Sequence, residues 1–242
     1  MSQVIEVVER YIIPDIPDID LPEEDGVPLE SNWHRIQINL LIDIVNHRWR
    51  ERQDFFAGGN MFIYYSLQQA RNRDYKGPDF FLVKGIDGSY PRQKWVVWEE
   101  NGRYPDVIVE LMSPTTAHED LGRKKELYER TFRTVDYFCY DPDEQKLQGW
   151  HLDNGRYAPL KPDGHDRLWS TELEAWLGKW EGVYLQQQAV WLRLFDEAGQ
   201  LIPTEGEAER QRAEAERQRA DAAEAEVARL KAELARRQQQ DT

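Results

Sequence analysis

Residues 107–112 read VIVELM, an apolar run that contains a single carboxylate, Glu110. Apolar side chains point to both sides of this run, a pattern typical of a strand that is covered on both faces of a sheet. A carboxylate buried in such a strand is costly unless a cation or hydrogen-bond donors pair with it. The chain must therefore fold so that other residues bring a partner to Glu110.

The segments around this strand alternate between strand-like and helical patterns. Apolar runs closed by Gly, Pro, Asn or charged turns predict a mostly antiparallel sheet; they are FFAGGNMFIYYSL, PDFFLVKG, KWVVWEE and DVIVELM. From Ala117 to about Phe132 the period becomes helical, with Leu121, Lys124 and Tyr128 along one face. The run VDYFCYDP then predicts another strand, so this part of the chain forms a unit of the βαβ type.

The two ends of the chain differ in composition from its middle. Prolines and acidic residues dominate residues 1–28, which predicts an extended N-terminal arm. A globular domain is expected over residues 29–203, beginning with an amphipathic helix that Ser31 caps. Within it, residues 148–201 are rich in Trp and Gly and predict short strands and a helix.

Residues 204–242 are expected to form a helical tail. The sequence EAERQRA occurs twice in succession from Glu207. Small and apolar residues recur at heptad positions, which are Ala213, Ala220, Val227 and Leu234 at one and Ala223 and Leu230 at the other. Two interpretations fit this pattern: a solvated helix held by Glu and Arg pairs, or a coiled coil that joins chains into a homo-oligomer.

Charge and motif content exclude several classes of function. The net charge of −14 argues against a protein that binds nucleic acid through its overall field, although residues 71–133 are close to neutral. The single cysteine, Cys139, cannot form an intramolecular disulfide, and no apolar run is long enough to span a membrane, so a soluble, cytoplasmic protein is expected. Zinc-site, phosphate-loop and serine-hydrolase motifs are absent from the sequence.

Asp79 is the best candidate to share a metal ion with Glu110. Asp106 lies on the same strand as Glu110, and at roughly 3.3 Å per residue their Cα atoms are about 13 Å apart, too far for one small cation. Asp79 opens the strand PDFFLV, and neighbouring strands lie only about 4.8 Å apart, so the two carboxylates converge if these strands pair. Paired carboxylates that bind Mg²⁺ are suited to phosphodiester hydrolysis.

A lysine that orients water would complete such a site. In the nuclease pattern PD…(D/E)xK that lysine lies two residues after the acid, where this chain has Met112. Lys124, on the inward face of the following helix, is the candidate to replace it, with Lys125 second. A structural ion pair of Glu110 with Lys124 or Arg123 would leave the same sequence pattern.

Three further polar residues are expected to be structural. Asp120 is interpreted as a cap of the Leu121 helix. Tyr128 is expected to pack in the core with its hydroxyl group satisfied nearby. His34, near the start of the first helix, is left out of the site.

Four motifs together resemble the Uma-type endonuclease family, a branch of the PD-(D/E)XK nuclease superfamily; they are GPDFFLV, PDVIVELMSPTT, the four-residue spacing of Asp120, Lys124 and Tyr128, and VDYFCYDP. The resemblance covers about residues 25–200 and leaves out the tail. It implies an α/β, restriction-endonuclease-like fold, a mixed β-sheet flanked by helices, to which the tail adds a C-terminal extended helix. It also implies that Asp79 and Glu110 bind the metal, and that Lys124, moved from strand to helix, assists the water.

The sequence therefore predicts an endonuclease that uses Mg²⁺ or Mn²⁺ to hydrolyse DNA. The alternative is a non-catalytic interaction protein that keeps the fold, uses Glu110 and Lys124 as a structural ion pair, and assembles through its C-terminal helix. The acidic charge of the chain favours this alternative.

Overall fold

The computed structural model describes residues 31–72 and 77–240, with the side chains of 233–235 and 237–240 excepted. The predicted N-terminal arm, residues 1–28, lies outside the described residues. The chain divides into two compact units, Met1–Ile202 and Pro203–Thr242.

The first unit is an α/β structure. Its helices are α1 (Asn32–Arg48), α2 (Leu67–Asn72), α3 (Ala117–Glu119) and α4 (Lys125–Leu127). A π-helical segment, Asp120–Lys124, joins α3 to α4, and a second, Tyr128–Phe132, follows α4. Residues 117–132 thus form one continuous helix, called here the site helix. Its strands are β1 (Phe55–Gly58), β2 (Ile63–Tyr64), β3 (Phe80–Lys84), β4 (Trp95–Val96), β5 (Val107–Leu111), β6 (Asp136–Asp141), β7 (Lys146–Asp153), β8 (Arg156–Pro159), β9 (Leu168–Ser170), β10 (Ala175–Tyr184) and β11 (Gln187–Phe195).

The main sheet has six strands in the order β1-β3-β5-β6-β7-β8. Its β5 and β6 are parallel and are connected by the site helix, whereas the other neighbours are antiparallel. A three-stranded sheet, β11-β10-β9, and a parallel pair, β2-β4, complete the unit. The prediction of a mixed β-sheet flanked by helices is therefore confirmed.

Apolar clusters cover both faces of the main sheet at β5. Val107, Val109 and Leu111 pack in the cluster that contains the apolar face of α1. Ile108 packs on the opposite face, in the cluster that contains Tyr128 from the site helix. Glu110 has the same strand parity as Ile108, so its side chain lies on the face that the site helix covers.

The first helix begins where its sequence indicates. The Oγ atom of Ser31 accepts a hydrogen bond from the backbone amide of His34 at 3.3 Å, which makes Ser31 the N-cap. The side chain of Gln37 forms two hydrogen bonds of 2.8 Å with the backbone of Leu192 and ties α1 to β11. The buried apolar residues of α1 are Ile36, Ile38, Leu40, Leu41, Ile44 and Val45.

The expectation of short strands and a helix in residues 148–201 is wrong about the helix. The described residues of this region form only strands and turns, and β10 pairs with β11 over nine residue pairs. Leu185 and Gln186 turn the chain with φ angles of 46° and 65°. Two consecutive residues with positive φ form a two-residue turn whose twist matches that of the hairpin strands. Leu and Gln are not residue types that predict such a turn.

The second unit contains the long helix α5 (Glu205–Gln240), so the predicted C-terminal helix is confirmed. Thr204 and Glu207 exchange side-chain to backbone hydrogen bonds of 2.9 and 3.2 Å, a capping box that fixes its start. Neither this helix nor any other in the described part of the chain is apolar over a length that would cross a bilayer.

Candidate active site

The loop between β1 and β2 fixes the position of Asp79. The backbone amide of Asn60 donates to the carbonyl of Pro78 at 2.9 Å. A Cβ atom built on Gly59 would lie 2.2 Å from the carbonyl oxygen of Asp79, so only glycine allows this approach. The Gly-Gly step before Asn60 therefore holds the chain against the residue that opens β3.

Antiparallel pairing of β3 with β5 brings Asp79 to Glu110. Phe80 lies opposite Val109. Because the strands are antiparallel, Asp79, just before Phe80, lies opposite Glu110, just after Val109. The backbone amide of Leu111 donates to Oδ2 of Asp79 at 2.7 Å, and the amide of Asp79 lies 3.4 Å from Oε2 of Glu110. The two carboxylates therefore converge, as the strand spacing predicts.

The site helix places three polar side chains toward Glu110. In an α-helix, residues four apart drift around the axis because a turn takes 3.6 residues. The wider turns of the two π-helical segments oppose this drift. Asp120, Lys124 and Tyr128 therefore stay on one face.

Leu121, predicted to lie on that inward face, is 38% exposed, whereas Asp120 is 1% exposed. The inward stripe thus begins one residue earlier than the apolar pattern indicates. The Asp120 carboxylate does not cap the helix, which starts at Ala117.

Glu110 lies at the centre of the resulting cluster and is fully buried. The ammonium group of Lys124 is 3.2 Å from Oε2 of Glu110 and 2.8 Å from Oδ1 of Asp120. The hydroxyl group of Tyr128 donates to Oε1 of Glu110 at 2.8 Å. We call Asp79, Glu110, Asp120, Lys124 and Tyr128 the acidic cluster.

Burial controls protonation in this cluster. It raises the pKa of Glu110 from 4.5 to about 7, although Lys124 opposes the rise. It also raises the pKa of Asp79 to about 6, and that of Asp120, with Glu110 adding to the effect, to about 6. Burial alone would lower the pKa of Lys124, but Glu110 and Asp120 raise it above its ordinary value. One ammonium group faces three carboxyl groups, so Lys124 stays charged, and of the three carboxyl groups Glu110, with the highest pKa, keeps its proton to the highest pH.

The other candidates lie away from this cluster. Lys125, the second lysine candidate, places its ammonium group 3.8 Å from the centre of the Trp150 ring. The Arg123 guanidinium lies 3.5 Å from the carboxylate of Glu119. Asp106 accepts a hydrogen bond from the Lys84 amide at the other end of β5.

Sequence reasoning treated Asp120 and Tyr128 as structural, yet both contact the other polar groups. The sequence does contain a sign of this, because Asp120 and Tyr128 each lie four residues from Lys124. A regular α-helix does not require that spacing. The Tyr128 hydroxyl donates to Glu110 and so limits the orientations of its carboxylate.

The donors of the cluster match a hard divalent cation. Mg²⁺ is usually bound through one or two carboxylates, with waters and substrate phosphates as its other ligands. Asp79 and Glu110 supply two such carboxylates from neighbouring strands. Among the described residues, no group of three or more His, Cys, Asp or Glu side chains is arranged to hold a metal. The pair fits Mg²⁺ or Mn²⁺ that shares its ligands with a substrate.

The fold and the cluster define an α/β protein of the nuclease type. A family model named Uma2, described as "Putative restriction endonuclease", matches residues 13–186, so the chain belongs to that family. Among solved structures, the chain is similar to "a putative nuclease belonging to DUF820 from Anabaena variabilis", with a TM-score of 0.42 and 12% identity over 60% of this chain and 76% of that chain. No curated protein matches significantly.

Proposed function

We propose that the protein is an endonuclease that hydrolyses DNA phosphodiester bonds with Mg²⁺ or Mn²⁺ at the acidic cluster. The observation that carries this proposal is the convergence around one lysine of half-buried Asp79, which directly precedes β3, and buried Glu110 on β5. Membership of an endonuclease family supports the class of reaction.

Asp79 and Glu110 would hold the cation. When bound, the metal would neutralise charge on the phosphate and lower the pKa of an attacking water. The Leu111 amide orients Asp79, and the Tyr128 hydroxyl orients Glu110. Both carboxylates are therefore positioned before any substrate arrives, which reduces the cost of organising the transition state.

Lys124 acts as a charged donor in this mechanism. Its raised pKa keeps the ammonium protonated, so it cannot serve as a general base. An ammonium group has three N–H donors, and Glu110 and Asp120 lie at its hydrogen-bonding distance. The remaining donor would orient the water or the phosphate for in-line attack.

Cleavage of supercoiled plasmid by the purified protein tests this function. With Mg²⁺ or Mn²⁺ we expect nicking that falls by a factor on the order of 100 or more in Asp79→Asn, Glu110→Gln and Lys124→Met, because each removes a charge that acts in the transition state.

Two matched variants serve as controls for the cleavage experiment. Glu126→Gln removes a carboxylate whose side chain, on the site helix, is 57% exposed. Lys125→Met removes the lysine next to Lys124. Both are expected to cleave like the wild type. Undiminished nicking by Glu110→Gln would contradict the proposal.

The interaction protein remains the second candidate, because one observation favours it. Lys124 pairs with both Glu110 and Asp120, as a structural ion pair would. Such a pair does not account for Asp79, a third carboxyl group whose pKa burial raises to about 6.

The tail supports a homo-oligomer as part of the proposal. Val227 and Leu230 on α5 are 49% and 46% exposed, and they occupy the two heptad positions. Pairing with the same helix of a second copy would bury them. Truncation after Pro203 is expected to reduce the mass measured by light scattering to that of one chain. An unchanged number of chains per particle would exclude this role for α5.

A further inference from the structure

Tyr137 connects the main sheet to the site helix at two points. It lies on β6 opposite Ile108, so its side chain shares the sheet face of Glu110. Its hydroxyl group donates to the backbone carbonyl of Asp120 at 2.8 Å, and its ring packs edge-on against the Tyr128 ring with a centroid separation of 5.3 Å. One fully buried side chain therefore contacts the helix at both Asp120 and Tyr128.

The π-helical segment Asp120–Lys124 has little support from its own sequence. Turns of this type are rare, and Gly122, among the weakest helix formers, lies within the segment. The Asp120 carbonyl, the first of the segment, has two lone pairs and can accept from Tyr137 in addition to a helix amide. A side chain that bonds into the hydrogen-bond ladder of a helix changes its geometry locally. The Tyr137 hydroxyl thus favours the π-helical form over a regular α-helix.

The helix type determines where Lys124 lies. In a regular α-helix each residue turns by about 100°, so residues four apart are displaced by about 40° around the axis. The π-helical segment opposes this displacement, and the ammonium group of Lys124 is 2.8 Å from Asp120 and 3.2 Å from Glu110. A return to the regular α-helix would turn Lys124 relative to Asp120 and weaken its contact with Glu110.

We propose that Tyr137 is a positioning residue, whose hydroxyl group holds the π-helical segment in the form that places Lys124 against Glu110. This inference rests on the proposed function and deepens it, because it names what fixes the lysine of the site. Asp79 and Glu110 lie outside the site helix, just before β3 and on β5. Loss of the Tyr137 hydroxyl therefore displaces the lysine and leaves the metal-binding pair in place.

Tyr137→Phe tests this role, because it removes the hydroxyl group and keeps the ring contacts. We expect kcat for nicking of supercoiled plasmid to fall about tenfold, while the affinity for Mn²⁺ measured by calorimetry stays within about twofold of that of the wild type. A hydroxyl group that only stabilises the fold would leave kcat unchanged in the folded variant.

The control is Tyr157→Phe. The Tyr157 hydroxyl donates to the backbone carbonyl of Thr134 at 3.0 Å, and the Tyr157 ring is stacked on that of Tyr137 with a centroid separation of 5.9 Å. Each variant removes one tyrosine hydroxyl that donates to a backbone carbonyl, but Thr134 lies beyond the end of the site helix. Tyr157→Phe is therefore expected to nick plasmid and to bind Mn²⁺ like the wild type.

A double-mutant cycle in EDTA tests the inference without catalysis. Chemical denaturation at pH 8 gives the free energies of unfolding of the wild type, Tyr137→Phe, Lys124→Met and the double variant. We expect the double variant to lose less than the sum of the two single losses, because both single variants weaken the same contact of Lys124 with Glu110. In the matching cycle with Tyr157→Phe the losses should add.

Additive losses in the Tyr137 cycle, or undiminished kcat in Tyr137→Phe, would overturn the inference. Plasmid nicking that depends on Glu110 would still stand in that case. Conversely, non-additive losses in the Tyr137 cycle, in a protein that shows no metal-dependent cleavage, would support the positioning of Lys124 and overturn the catalytic proposal alone.

Discussion

Glu110→Gln is expected to raise the melting temperature of the metal-free protein by about 5 °C or more at pH 8, and to change it little at pH 5. Burial raises the pKa of Glu110 from 4.5 to about 7. One pKa unit corresponds to about 1.4 kcal/mol, so ionising this side chain in the folded protein costs on the order of 3 kcal/mol. In a chain of this size, 1 kcal/mol shifts the melting temperature by about 2–4 °C.

The dependence on pH follows from the direction of the pKa shift. A carboxyl group whose pKa is higher in the folded state than in the unfolded state stabilises the fold fully below pH 4.5, and this contribution is lost as the pH rises through about 7. Glutamine is neutral at both pH values and can still accept from the Tyr128 hydroxyl. The advantage of the variant therefore grows between pH 5 and pH 8.

Thermal melts in EDTA at the two pH values make this measurement, with Glu126→Gln as the control. The exposed Glu126 is expected to show no comparable difference. If Glu110 instead serves a structural ion pair with Lys124, its removal should destabilise the protein at pH 8, by an amount on the order of 3–5 kcal/mol. A rise in melting temperature at pH 8 would indicate that Glu110 is kept for function at a cost in stability. A fall would indicate a structural ion pair.

Lys124→Met is expected to destabilise the metal-free protein at pH 8, by an amount on the order of 3–5 kcal/mol. The ammonium group of Lys124 is 3.2 Å from Glu110 and 2.8 Å from Asp120, and both carboxylates are about 1% exposed. Without the lysine they must stay protonated or remain buried as unpaired charges. Chemical denaturation at pH 8 and pH 5 measures the loss, which should be smaller at pH 5.

The double variant Glu110→Gln/Lys124→Met shows whether the two residues act together. Its free energy of unfolding at pH 8 should fall less than that of Lys124→Met alone, because the double variant no longer carries the Glu110 charge. Lys125→Met is the matched control and is expected to lose only the contact with Trp150. A loss in Lys124→Met no larger than that in Lys125→Met would contradict the role assigned to Lys124.

The convergence of Asp79 and Glu110 could be predicted from the sequence because it follows from strand geometry once the two strands pair. An apolar run with one carboxylate identified β5, and the strand spacing selected Asp79 over Asp106. The structure brings Asp79, Glu110 and Lys124 together as expected. That these three act in catalysis is still a prediction.

The positions of Asp120 and Leu121 could not be predicted, because they depend on a change of helix type. A regular α-helical period placed Leu121 inward, whereas the π-helical turns expose it and bury Asp120. No residue between Ala117 and Phe132 is a recognised signal for a π-helix. The free-energy cost of the wider turns is offset by side-chain contacts such as those of Lys124 with Asp120 and Glu110.

The β10 and β11 hairpin was missed for a similar reason. Its turn residues, Leu185 and Gln186, adopt positive φ without the Asn or Gly that usually accompanies such a turn. Extensive pairing between the two strands offsets that local cost. Both the π-helical turns and the hairpin turn are therefore determined by tertiary and cross-strand contacts. Patterns within a single sequence do not contain those contacts.

Calorimetric titration with Mn²⁺ tests the central claim that Asp79 and Glu110 hold a divalent cation. At pH 7.5 we expect binding to the wild type and to Glu126→Gln, and none to Asp79→Asn or Glu110→Gln. Affinity should fall at pH 5.5, because both carboxyl groups must lose their protons and their pKa values are raised to about 6 and about 7. Equal affinity in the wild type and Asp79→Asn, or no binding at pH 7.5, would contradict the account.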